Sequence, residues 1–191
     1  MALIDVAGRE IRAKIVYYGP GLGGKTTNLR YIYARIPAET KGELVSLAGA
    51  NGRTLFFDFL PLDLGRVLGF TIRFQLYTVA GQTPYERTRR TVLSGVDGAV
   101  FVADAQRERL ADNVASLREL TENLADQGKG LPALPLVLQY NKMDLPNALA
   151  AQTLDDALNR HGVPRYEAVA TLGTGVFDTL RAISKLVASR L

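Results

Sequence analysis

The 191-residue chain contains no cysteine. Disulfides, cysteine-ligated metal and thiol catalysis are therefore excluded. Prenyl and palmitoyl anchors need the same residue and fall with them. Position 2 is Ala2, where N-myristoylation requires a glycine. No run of 18 apolar residues is present to span a bilayer, and no secretory leader is visible. The expectation is a cytoplasmic chain with no intrinsic membrane anchor. Basic runs and basic-aromatic arrays are absent too, so the net charge of +4 reads as a solvated surface rather than a nucleic-acid interface. Histidine occurs once, at His161, where Gly162 and Pro164 mark a helix end.

What remains is a globular composition, 47% hydrophobic and 22% charged. Strand-like and helix-like segments alternate along it. IRAKIVYYG (11–19) reads as a partly buried strand and TTNLRYIYARI (26–36) as a helix ended by Pro37. TLFFDFLP (54–61) and FTIRFQLYTV (70–79) read as two strands joined by a turn over 63–69, able to pair as an antiparallel hairpin. GAVFVAD (98–104) and LPLVLQYN (134–141) are continuous apolar runs of the kind found in buried parallel strands. The spacing of Leu110, Val114, Leu117, Leu120 and Leu124 predicts a long amphipathic helix over 107–127. A short helix (153–160), a last strand (165–170) and a closing helix (176–191) follow. The fold class is α/β: one domain over 1–191, with a mostly parallel six- or seven-stranded sheet and helices on both faces. Ligands of such sheets sit at the carboxyl ends of the strands.

At the end of the first of these strands stands GPGLGGKTT (19–27). Gly19 to Thr26 fits GxxxxGK[ST], with a strand before it and a helix after it. Glycines let successive N–H groups turn inward toward phosphate oxygens, and the helix N-terminus adds a positive dipole end. Lys25 can reach the outer phosphates, and the Thr26 hydroxyl can ligate Mg²⁺. The candidate nucleotide contacts here are Gly19, Gly21, Leu22, Gly23, Gly24, Lys25, Thr26 and Thr27.

Asn141-Lys142-Met143-Asp144 follows a predicted buried strand on the same side. This NKxD pattern can read guanine. The Asp144 carboxylate accepts from the ring N–H and the exocyclic amine, a pair that adenine lacks, and a buried acceptor left unpaired is costly. Asn141 would tie the segment to the phosphate loop, while the Lys142 stem lies along the base.

Taken in order, Gly19–Thr26, the threonine of RTLFFDF, TVAGQ at 78–82 and NKMD at 141–144 resemble Ras-like small GTPases over nearly the whole chain. The runs IVYYGPGLGGKTTNL, RTLFFDFLPLDLG and YNKMDLPNA are similar to the bacterial MglA subfamily, the GTPases of gliding motility and cell polarity. The resemblance implies GTP/GDP and Mg²⁺ as cofactors. It implies that Gln82 orients the attacking water and that Gly81 offers its N–H to the γ-phosphate. Thr54 becomes the first-switch threonine and, with Thr26, a metal ligand. Gly21 is the glycine whose replacement would crowd the γ-phosphate, and Arg53 acts as a finger supplied in cis. Ala170 matches a loop whose backbone N–H touches the guanine carbonyl. The implied partners are a roadblock-domain GTPase-activating protein of the MglB type at the switch face, an unidentified exchange factor and motility or polarity effectors. The chain itself would be a monomer, reaching a cell pole only through partners.

Position 78 departs from the Ras pattern: Thr78 stands where the superfamily has a metal-supporting aspartate. MglA-like proteins resemble the chain in this. The loss of charge predicts weakened Mg²⁺ binding. Asp58 reads first as a residue of the strand or of a partner surface, and second as a compensating carboxylate. Glu86–Arg90 reads as a solvated helix face, with a partner surface as the sharper reading. Two other functions are weighed. A GTP-binding scaffold with negligible hydrolysis has Thr78 in its favour and Gln82 and Arg53 against it. An ATP-using P-loop enzyme is opposed by NKMD and by the lack of an arginine-rich lid.

Overall fold

The most apolar segments of the chain form the middle of a single sheet. In the computed structural model, which describes residues 2–48, 54–67, 69–81 and 86–191, β6 (Gly98–Asp104) and β7 (Leu136–Asn141) are buried at every position. Strands covered on both faces have no reason to alternate, and these do not. β2 (Glu10–Tyr18) lies parallel to β6 on one side and to β5 (Phe70–Thr78) on the other. β8 (Arg165–Ala168) adds parallel to β7. Two antiparallel strands complete the far edge, β4 (Thr54–Val67) on β5 and β3 (Val45–Ala48) on β4. The order is β3-β4-β5-β2-β6-β7-β8, and β1 (Leu3–Asp5) pairs antiparallel with the start of β2.

The α/β class is as expected. The sheet holds eight strands among the described residues rather than six or seven, because β1 and β3 were not anticipated. Both are short, and β1 is exposed at all three residues, so neither gives a run long enough to read as a strand. β4 also runs on through most of the expected turn. Antiparallel pairing continues from Phe59↔Tyr77 to Val67↔Phe70, with one irregularity between Asp63 and Arg66.

Helices cover both faces. α1 (Lys25–Arg35) and α5 (Val176–Ala188) close one, burying Leu29, Ile32, Val176, Leu180, Ile183 and Val187 against Ile15, Tyr17, Val100 and Val102. α2 (Glu86–Leu93), α3 (Leu110–Ala125) and α4 (Ala151–Leu158) close the other, contributing Leu93, Leu120, Leu124, Leu154 and Leu158. A buried polar triad crosses the first layer. Gln139 of β7 exchanges hydrogen bonds with Asn28 of α1 (2.8 and 3.0 Å) and donates to Thr179 of α5 at 3.0 Å. Satisfied buried polar groups of this kind fix one helix register over others of similar apolar burial. The carboxyl ends of β2, β6 and β7 come out along one edge of the sheet, so the loops after Tyr18, Asp104 and Asn141 meet there.

Candidate functional site

The loop after β2 is built for close backbone approach. Gly19 (φ 140°) and Gly24 (φ 100°) occupy backbone conformations that side chains disfavour, and Leu22 is left-handed at φ 64°. A Cβ on Gly24 would fall 2.1 Å from Asn141 Nδ2. α1 then begins without a side-chain cap and with no acidic residue in its first turn. Its first N–H groups and positive dipole end are thus available to an anion, which suits phosphates.

Lys25 is 6% exposed and donates to the carbonyls of Gly19 (2.8 Å) and Pro20 (2.7 Å), so it spans its own loop. Burial, reinforced by the positive field of Arg89 and Arg109 and opposed by Asp58, brings its pKa down from 10.5 to about 7. Thr26 donates to Asp58 Oδ2 at 2.6 Å. Gly81 packs directly on the loop, for a Cβ there would meet the Gly21 nitrogen at 2.4 Å. Arg109, at the start of α3, donates to the Gly21 carbonyl at 2.8 Å.

Asn141 joins three segments. Its Nδ2 donates to Gly23 O (2.8 Å), its Oδ1 accepts from Ala170 N–H (2.9 Å), and its carbonyl accepts from Ala105 N–H (2.9 Å). Lys142, left-handed at φ 68°, turns the chain out of β7, and its Nζ reaches Asp104 Oδ2 at 2.5 Å. With the head tied there, its stem helps to wall a pocket of about 200 Å³ lined also by Leu22, Thr27, Asp144, Ala170 and Thr171. A larger hollow of about 890 Å³ lies between α1, α5 and the sheet, away from the strand ends, and none of the motif residues line it.

The structure therefore brings together Gly19–Thr27, Gly81, Asn141, Lys142, Asp144 and Ala170. Gln82 and Arg53 lie outside the described residues, as does the segment between β3 and β4. Thr54 opens β4, its backbone paired with Ala48. Ala170 N–H donates to Asn141 Oδ1, which braces the base segment. The helix face 86–90 is not uniformly solvated either. Arg89 is 4% exposed, donating to Ala80 O and pairing with Glu119 of α3 at 2.6 Å, while Arg87 and Arg90 are exposed. Arg89 and Arg109 carried no motif that sequence reading could recognise. Asp58 sits in β4, as first expected, but it is buried and engaged rather than on a partner surface. It is 1% exposed and accepts from three hydroxyls, those of Ser46, Thr26 and Thr78.

The donor set fits a nucleotide with Mg²⁺. The glycine cradle and the uncapped helix suit phosphates. Thr26 offers a hard oxygen to a metal, with the Asp58 carboxylate hydrogen-bonded to it. No cluster of three or more His, Cys, Asp or Glu that could hold a metal alone is present among the described residues.

A glycine loop between strand and helix, joined by an NKxD asparagine to a base-sized pocket, defines a guanine-nucleotide-binding domain. Residues 2–186 match the ADP-ribosylation factor family, and the chain belongs to that family of Ras-like small GTPases. It is also 57% identical, over all of its length and 98% of the relative's, to the mutual gliding-motility protein MglA of Myxococcus xanthus (strain DK1622). That similarity supports the MglA subfamily. No helix among the described residues is long and apolar enough to cross a membrane.

Proposed function

We propose that the chain is a molecular switch that binds GTP with Mg²⁺, hydrolyses it to GDP and changes partners between the two states, in the control of cell polarity and of gliding or pilus-driven motility. The bond from Asn141 to Gly23 O carries this reading, because it locks the base-reading segment to the phosphate loop. Gly19–Thr27 cradle the phosphates, and Lys25 exchanges its loop carbonyls for phosphate oxygens. Thr26 and Thr54 would hold the metal, which would supply positive charge for the transferred group. Gly81 donates to the γ-phosphate, Gln82 holds the attacking water, and Arg53 supplies positive charge in cis. A roadblock-domain protein of the MglB type accelerates hydrolysis at the switch face. An exchange factor and polarity effectors read the two states, and the chain stays monomeric and cytoplasmic until a partner recruits it to a pole.

Competition against a fluorescent GDP tests the reading. GTP and GDP should displace the probe, with ATP weaker by about a thousandfold or more, as expected where a site's polar groups are left unpaired by the wrong base. Displacement by ATP as effective as by GTP would contradict it.

A further inference from the structure

Thr78 removes a carboxylate from the end of β5, yet a carboxylate is present at that spot. The pairing Phe59↔Tyr77 sets Asp58 beside Thr78 across the β4–β5 ladder. Strand alternation then sends both side chains to the face covered by α1, together with Leu60, Leu62 and Leu76, all fully buried in the same cluster. A carboxylate 1% exposed there is costly unless its oxygens are satisfied. Oδ2 accepts from Thr26 Oγ1 (2.6 Å) and from Thr78 Oγ1 (2.7 Å), while Oδ1 accepts from Ser46 Oγ. Thr78 Oγ1 in turn accepts from the Asp58 N–H at 3.0 Å. Thr78 is thus the clamp that fixes the neighbouring strand's carboxylate.

We propose that Asp58 is the positioning carboxylate of the Mg²⁺ site, supplied from β4 in place of position 78. It orients the Thr26 hydroxyl toward the metal and restores the negative charge that Thr78 lacks. The inference rests on the reading of the site as one for a Mg²⁺-bound guanine nucleotide. It removes the reason to expect weakened metal binding, because the charge has moved one strand rather than disappeared. Three hydroxyls converging on one buried carboxylate make a purely structural role an expensive arrangement, since neutral side chains could satisfy one another without burying a charge.

The test is release of a fluorescent GDP from the full chain, measured for each protein in excess Mg²⁺ and in EDTA. The ratio of the two rates reports how far the metal holds the nucleotide, and a merely structural residue leaves that ratio alone. Wild-type protein should release much faster in EDTA. Asp58→Asn should lower the ratio by at least about tenfold, the usual effect of losing a residue that orients a metal ligand. Adding Thr78→Asp to Asp58→Asn should restore most of it. An Asp58→Asn ratio equal to that of wild type, or a double variant no better than the single, would overturn the proposal. If Asp58→Asn does not fold, Asp58→Glu, which keeps the charge but displaces it, is read in the same way: a lowered ratio supports the proposal and an unchanged one overturns it. A wild-type protein that holds no GDP overturns the nucleotide reading itself and this inference with it, whereas one that releases GDP equally fast in EDTA overturns this inference alone.

Discussion

Lys25 shows how much a single side chain's setting decides. Buried and facing two carbonyls, it is held near pKa 7 rather than 10.5, chiefly by loss of water and then by Arg89. Phosphate oxygens favour the charged form, so binding should draw a proton from solution wherever the lysine is otherwise neutral, above about pH 7. Calorimetry of GDP binding at pH 8 in buffers of different ionisation heat should therefore show uptake approaching one proton. Uptake should fade toward pH 6; a heat independent of buffer at pH 8 would contradict the assignment. The sign for stability runs the same way. An unfolded chain keeps this proton up to pH 10.5, so with the folded pKa depressed, this lysine's contribution rises with pH from about 7 to that value and its penalty is complete below 7. The glycines are legible for a different reason. Gly24 and Gly81 are required by what lies within 2.4 Å of their missing Cβ atoms, a demand that the motif spelled out in advance.

At the scale of elements, α2 is tied more firmly than its charged sequence suggests. Arg89 of α2 is buried, and Glu119 of α3 pairs with it at 2.6 Å. Glu119→Ala leaves that charge with the Ala80 carbonyl and its remaining neighbours, and should destabilise the protein by about 2–4 kcal/mol in denaturant unfolding. A loss below about 0.5 kcal/mol would mean that the pair contributes nothing. Elements whose signal is local were readable: β6 and β7 from continuous apolar runs, α3 from its leucine spacing, and the phosphate loop from its glycines. Those whose meaning comes from pairing were not. β1 and β3 exist because an edge was available. Asp58 read first as a plain strand or surface residue, with a compensating carboxylate only second, and Arg89 as part of a solvated face, until the β4–β5 register and the α2–α3 contact placed them. Even the expected 63–69 turn yielded to cross-strand pairing, with Arg66↔Thr71 and Val67↔Phe70 extending the ladder past Gly65.

For the whole molecule, one sheet edge gathers the parts of the site. β2 delivers the phosphate loop, β7 the base-reading segment, and β4 with β5 the metal-supporting pair Asp58 and Thr78. The Asn28–Gln139–Thr179 triad holds α1 and α5 to the sheet, which keeps the first turn of α1 aligned with the loop it completes. The proposed switch residues Arg53 and Gln82 would act on this platform. The central claim is that this platform hydrolyses GTP. Single-turnover phosphate release from GTP-loaded protein with Mg²⁺ measures it most directly, with Gln82→Ala run beside the wild type. The account predicts slow wild-type turnover that falls by about a hundredfold or more in the variant, the scale expected for losing a group that places the attacking water. No release from tightly bound GTP in the wild type, or equal rates in the two proteins, would contradict it.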